Sequence, residues 1–301
     1  MNILVTGATS LIGKEVVALL LKNGHAVRII TRQKTVPLVL QNSEIITGDL
    51  EEIGSAAAEG IDTVIHIAAA TPGAGSSLES YFKTNVDGTR HLIDICKEKK
   101  VNRFIHISSI VVLYKENTDP YSDSKRQAEE ILKASDLNWT ILRPAEIIGA
   151  DKSWDRFLQL LKNKKYVFVP GNGMQHRHPV FFRDVVKAII QVMDNKATFG
   201  KCYSLAAATP VGYYQFLLTV RKIFGGSFSI IKVPLWIIKS FSVFNFIMPA
   251  KVKRKIKNAH GMLRGIEVNI QNAVTDFNYK PYDLENGLMN LKEEMDSQNK
   301  Q

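Results

Sequence analysis

Cysteine is nearly absent from this chain of 301 residues: only Cys96 and Cys202 occur. They stand alone, without metal-ligand spacing or a partner pattern, so a disulfide framework is excluded and both read as buried free thiols. Long apolar runs are missing too. The strongest candidate, Val233 to Pro249, is broken by Lys239 and carries Ser240, Ser242 and Asn245, short of the ~20 apolar residues a membrane span needs. Acidic residues are absent from Asn195 through Ile266, while basic ones recur there and peak in KVKRKIK at 251–257. Almost all of the net charge of +10 therefore sits in the C-terminal third. Three readings of that excess stay open: a solvated basic face, an electrostatic funnel for a phosphorylated substrate, and a weak peripheral contact with anionic lipid. Nucleic acid is disfavoured, because no nucleic-acid-binding motif accompanies the charge. The first strand begins at Asn2 or Ile3, leaving no room for a signal peptide, and a cytoplasmic location is expected.

What is present is ordinary for a globular protein, with 45% hydrophobic and 23% charged residues. The opening MNILVTGATSLIGKEVVALLLKNGHAVRIITR reads as an apolar strand, a glycine-containing turn, an amphipathic helix and a second strand. In such a turn Gly7 lets the backbone approach a pyrophosphate and Gly13 packs helix against strand, while the helix N-terminus offers unpaired N–H groups to phosphate. Ser10 stands where a middle glycine is usual, adding a Cβ at the point of close approach. Further strands are expected near 26–31, 44–47, 62–67, 103–108 and 138–143, and helices at 11–23, about 77–99, 121–135, 153–162 and 183–194. This alternation predicts an α/β fold, a doubly wound Rossmann-type parallel sheet, with ligands beyond the carboxyl ends of the strands. Gly7, Asp49, Ala68 and Ser109 fall at such ends. Regularity weakens after Gly149, which suits a smaller C-terminal substrate-binding lobe. The expected division is a dinucleotide-binding domain over 1–165 and a lobe over 166–301, with 178–205 returning to the first domain. The tail from Asp296 looks disordered by composition.

Tyr121 and Lys125 lie four residues apart in YSDSKRQAEEIL, a spacing that puts both on one helix face. It is also the spacing of any solvated helix face. A lysine ammonium beside a phenol would favour the phenolate and lower the tyrosine pKa, giving a group that exchanges protons near neutral pH.

In chain order TGATSLIG, GDL at Gly48–Leu50, HIAAA at His66–Ala70, NVDGT at Asn85–Thr89, HISS at His106–Ser109, Tyr121-x-x-x-Lys125 and LRPAEIIG at Leu142–Gly149 resemble the extended short-chain dehydrogenase/reductase family, most of all its nucleotide-sugar epimerase/dehydratase branch. The resemblance covers residues 1 to about 190 and rests on the order of seven short motifs. It implies Tyr121 as the acid or base, Lys125 bonded to the nicotinamide ribose, Ser109 orienting the substrate oxygen, with Ser108 as the alternative, and Asn85 supporting the proton relay. A polar Asn bonding only to nearby backbone is the competing reading. Gly7, Thr9, Ser10, Leu11, Ile12, Gly13, Asp49, Leu50, Ala68 and Pro144, with Tyr121 and Lys125, would contact the cofactor. The family commonly dimerises through the helices that here hold Asn85 and Tyr121, so a homodimer is expected.

IITRQK ends the second strand, and no acid occurs from His25 through Pro37. An acidic residue there usually holds a ribose 2′-hydroxyl and an arginine accommodates a 2′-phosphate, so Arg32 favours NADP over NAD. Ile110 and Val111 follow Ser109, where nucleotide-sugar dehydratases of the family carry Asp-Glu, so dehydration lacks its acid and base. Arg177 is the expected anchor for a substrate diphosphate. His176 and His178 lack a third ligand, and no metal site is indicated. The reading is reduction of a keto group on a nucleotide-diphosphate sugar. NAD-dependent 4-epimerisation and oxidoreduction of an apolar ketone or alcohol are the alternatives, ahead of a non-catalytic dinucleotide-binding protein.

Overall fold

The computed structural model describes residues 1–72, 77–114, 116, 118–237 and 267–298. Residues 238–249 of the apolar stretch and the KVKRKIK segment lie outside that set. Among the described residues no helix is long and apolar enough to cross a membrane.

The expected alternation is realised. Strand β1 (Asn2–Thr6) leads into helix α1 (Leu11–Lys22), then β2 (Ala26–Thr31), β3 (Glu44–Thr47) and β4 (Thr63–His66). After β4 come α2 (Leu78–Phe82), a π-helical turn at Lys83–Asp87, α3 (Gly88–Glu98), β5 (Arg103–Ile107), α4 (Pro120–Lys133) and β6 (Asn138–Pro144). With a seventh strand at Lys201–Leu205 these form one sheet in the order Lys201–Leu205, β6, β5, β4, β1, β2, β3. Every pairing in it is parallel, from Ile3 with Val27 on one side of β1 to Ile3 with Thr63 on the other. The chain steps outward from β1 to β3 and then returns to lay β4 on the other side of β1. The crevice between β1 and β4 is the topological switch point where such sheets bind ligands.

Burial follows from that architecture. Helices cover both faces, so the central strands read as continuous apolar runs, and every residue of β4 and β5 is buried. The polar residues His66 and His106 are carried into this core at 0% and 1% exposure.

The chain divides into two compact units. The first comprises 1–147, 182–205 and 270–280 and holds the seven-stranded sheet. The second comprises 148–181, 206–269 and 281–301. It contains α5 (Lys152–Lys162), a parallel strand pair at Tyr166–Pro170 and Ser229–Val233, a helix at Tyr213–Phe224 and a C-terminal helix at Leu284–Gln298. Asp296 to Gln298 are thus helical, against the expectation from their polarity, because they continue the last turns of a helix whose Leu288 and Leu291 are buried.

Candidate active site

The turn after β1 is shaped by its glycines. Gly7 has φ +70, a left-handed conformation that favours glycine, and a Cβ there would meet the backbone nitrogen of Ala68 at 2.6 Å. A Cβ on Gly13 would drive into the carbonyl oxygen of Gly7. Turn, helix start and the loop after β4 are therefore as close as backbone permits. Ser10 has φ −73, which needs no glycine, and its Oγ accepts from Gly13 N at 3.0 Å as the N-cap of α1. The departure from the usual glycine is explained: the hydroxyl replaces close approach with a cap. Thr9 is half-buried, and Leu11 and Ile12 begin the helix at its positive dipole end. Gly7, Ser10, Leu11 and Ile12 frame a cradle between β1 and β4 that could hold a pyrophosphate.

At the ends of β2 and β3, Arg32 Nε lies 3.8 Å from Asp49 Oδ1, with the two side chains 77% and 44% exposed. A pair this open is worth little and leaves the guanidinium free to engage an anion. Leu50 turns inward and joins the core, filling the space that Gly88 leaves open. Pro144 is buried at the end of β6, paired with Leu205.

The loop after β4 is held by a directional network. Asn85, on the π-helical turn, accepts from Ala70 N (2.7 Å) and donates from Nδ2 to Ala70 O (3.1 Å) and Ser124 Oγ (2.9 Å). Ser124 Oγ donates in turn to Tyr121 O at 2.9 Å. Both amide hydrogens of Asn85 are thus spent on tying this loop to α4, which makes it a positioning residue. One residue inserted into a helical turn is a common device at functional sites, re-aiming the side chains around it.

Thr89 Oγ1 donates to Asn85 O (2.7 Å), so it accepts from His66 Nε2 at 2.9 Å. His66 Nδ1 is left to accept from Thr6 Oγ1 (2.7 Å), which itself accepts from Ala68 N (3.2 Å). The network assigns neutral His66 with its proton on Nε2. Burial, with the charge of Lys125 adding, pulls its pKa down to about 3.

Tyr121 is set by a helix start written in the sequence. Asp119 caps α4, accepting from Ser122 N at 3.0 Å and Ser122 Oγ at 2.6 Å, and Pro120 occupies the first turn. Ser109 lies beside the Tyr121 phenol and works against the rise that burial gives its pKa. Ser108, by contrast, donates to the buried Glu129 at 2.6 Å, so Ser109 is the serine that meets the phenol. Glu129 also takes a bidentate pair from Arg143, at 2.9 Å from Nε and 2.5 Å from Nη2. Arg143 therefore faces Glu129 and not a ligand.

Lys125 differs from expectation. It is 1% exposed, and its Nζ donates to Ile107 O at 2.8 Å with His106 Nε2 at 3.4 Å. Burial, opposed by Glu129, brings its pKa down to about 8. The phenol is not pulled down by the ammonium: burial raises the Tyr121 pKa, with the neighbouring Ser109 opposing. The physical reason is that Nζ points at the end of β5 while the phenol sits in a poorly solvated pocket against Ser109 and Tyr81, ring centroids 5.9 Å apart.

His106, Glu129, Ser124 and Tyr81 escaped the sequence reading. The signal for Glu129 was available, since Tyr121, Lys125, Glu129 and Lys133 recur every four residues along α4. Arg177 belongs to the second unit, where its guanidinium lies 5.2 Å from the ring centroid of Tyr213 and 4.6 Å from that of Phe216. Among the described residues no group of His, Cys, Asp and Glu could hold a metal ion.

Known proteins bear on this site in three ways. The sequence profile of the NAD dependent epimerase/dehydratase family matches residues 3–206. A 3 beta-hydroxysteroid dehydrogenase/Delta 5-->4-isomerase of Mycobacterium tuberculosis is 28% identical over 258 residues, covering 74% of this chain and 70% of that protein. Among solved structures, the UDP-glucuronic acid 4-epimerase of Bacillus cereus in complex with NAD aligns over 99% of each chain, with a TM-score of 0.75 and 22% identity. The UDP-glucose 4-epimerase of Thermotoga maritima with UDP-glucose aligns over 100% of each chain, with a TM-score of 0.76 and 22% identity. At these identities the two structures establish a shared fold.

Proposed function

The chain belongs to the NAD-dependent epimerase/dehydratase family, and from that premise we propose that it reduces a keto group on a nucleotide-diphosphate sugar with NADPH. The observation that carries the proposal is the placing of Tyr121 on the first turn of α4, with Ser109 beside its phenol and a buried Lys125 one helical turn along. The dinucleotide, when bound, supplies the hydride. Ser109 orients the carbonyl oxygen, and Tyr121 gives its proton to that oxygen as negative charge develops on it. A phenol whose pKa is raised by burial holds its proton at neutral pH, which suits an acid in the reductive direction. Lys125, one turn along α4, holds the ribose and so keeps the dinucleotide beside the phenol. Asn85 keeps the Ala68–Ala70 loop and α4 in register.

Reduction is preferred over dehydration because Ile110 and Val111 follow Ser109 and offer neither acid nor base. NADP is preferred over NAD because the exposed Arg32 stands at the end of β2 with no acid on that strand end. Arg177, braced by two aromatic rings, is the proposed diphosphate anchor.

A second reading, an apolar ketone or alcohol as substrate, is favoured by the steroid dehydrogenase relative. It is also favoured by the aromatic cluster of Trp154, Phe157, Phe216 and Phe224 in the second unit. NADPH oxidation followed at 340 nm with 4-keto sugar nucleotides and with 3-ketosteroids separates the two. Turnover confined to the sugar nucleotides supports the proposal, and turnover confined to the steroids replaces it with the second reading.

A further inference from the structure

His106 is the one buried imidazole of the β4–β5 pair whose hydrogen bonding does not close. Its ring stacks on His66 with centroids 5.1 Å apart and planes at 29°. Nε2 faces Lys125 Nζ at 3.4 Å, while Nδ1 is buried without a hydrogen-bond partner. An ammonium has no lone pair to offer, so Nε2 must be the acceptor and Nδ1 must carry the ring proton. That proton has nowhere to go. A phenylalanine would fill the same space without stranding a buried donor, so the sequence carries a cost here that core packing does not require.

The return on that cost is at Lys125. Nζ has three hydrogens; one goes to Ile107 O at 2.8 Å and a second to His106, leaving one. We propose that His106 is a positioning residue for Lys125, fixing the ammonium through Nε2 so that a single N–H remains for the dinucleotide ribose. The groups around Nζ are few: Tyr121 and Glu129 one turn either way on α4, His106 on β5 and His66 behind it on β4, with Arg143 on β6 already paired to Glu129. Removing the Nε2 lone pair leaves the ammonium poorer by one acceptor in a dry site, which favours the neutral amine. The alkaline limb of the pH–rate profile should then move to lower pH.

The inference rests on Lys125 acting with Tyr121, and its test is separable from that reading. His106→Phe keeps the stack on His66 and removes the acceptor, whereas His106→Gln can restore an acceptor oxygen. Expected for His106→Phe is a kcat about tenfold lower with KM nearly unchanged and an alkaline limb lower by about one pH unit. His106→Gln should recover most of both. Wild-type kcat and pH profile in His106→Phe, or equal losses in both variants, would overturn the proposal. If the pair Tyr121 and Lys125 does not carry the reaction, Tyr121→Phe retains full activity. Should His106→Phe fold poorly, long-range nitrogen–proton spectra of histidine-labelled wild-type protein decide. They should show His106 protonated on Nδ1 and His66 on Nε2; a proton on Nε2 of His106 contradicts the role.

Discussion

Lowering the pH from 7 to 5 should destabilise the seven-stranded unit through its two buried imidazoles. His66 has an ordinary pKa near ~6.5 when unfolded and about 3 when folded, because burial and Lys125 disfavour the imidazolium. Below pH 6.5 the unfolded chain therefore binds a proton that the folded chain refuses, and stability falls as pH falls. Each such group contributes a slope approaching ~1.4 kcal/mol per pH unit, which integrates to about 2 kcal/mol between pH 7 and 5. His106 acts in the same sense, its pKa held well below the ordinary value by burial, Lys125 and His66. The buried carboxylate Glu129 does not confuse this window. Its pKa is lowered by Arg143 and Ser108 against the opposing effect of burial, so its stabilisation is lost only below its unfolded pKa of about 4.3. Urea denaturation followed by far-ultraviolet circular dichroism should give a midpoint at pH 5 clearly below that at pH 7. The double variant His66→Gln/His106→Phe, starting from lower stability, should lose most of that pH dependence. A wild-type midpoint that is the same at both pH values, or a double variant with an undiminished fall, would refute the reasoning.

Four further outcomes follow from the geometry. Gly13→Ala places a Cβ against the Gly7 carbonyl, so it should cost upward of about 1–3 kcal/mol by overpacking and abolish dinucleotide binding by calorimetry; wild-type affinity would contradict the cradle. Glu129→Gln removes the carboxylate charge that Arg143 and Ser108 bond in a buried network, and about 3 kcal/mol should be lost in a urea titration. Lys133→Ala, at the 30% exposed end of the same network, should cost less than about 1 kcal/mol. Arg32→Ala should raise the KM for NADPH about tenfold while leaving that for NADH near its starting value, since only a 2′-phosphate needs the guanidinium; equal effects on both would remove Arg32 from cofactor selection.

Much of this was legible in the chain. The six strands from Asn2 to Pro144 lie within a residue or two of their expected bounds, because a parallel sheet buried on both faces demands short apolar β-branched runs between helix signals. Gly7 and Gly13 were legible because backbone approach excludes every other residue. The π turn at Lys83–Asp87 was not, since a single inserted residue barely disturbs the apolar period of a helix expected over 77–99. The choice between Ser108 and Ser109 also needed the structure: adjacent residues of an extended segment face opposite ways, and only the fold shows which way Glu129 lies. Spacing placed Lys125 beside Tyr121, yet it could not show Nζ turning to Ile107 O and His106, contacts made across 18 and 19 residues of chain. Strands of two or three residues, such as His176–Arg177 and Pro179–Phe181, carry too little period to be read at all.

The central claim is that Tyr121 delivers the proton that accompanies hydride transfer. It is tested most directly by single-turnover reduction of a 4-keto sugar nucleotide in wild-type protein and in Tyr121→Phe, each loaded with NADPH and followed at 340 nm. The expected result is a loss of at least about a hundredfold in the rate of NADPH oxidation, with NADPH affinity within about twofold of wild type. An undiminished rate in Tyr121→Phe would contradict it.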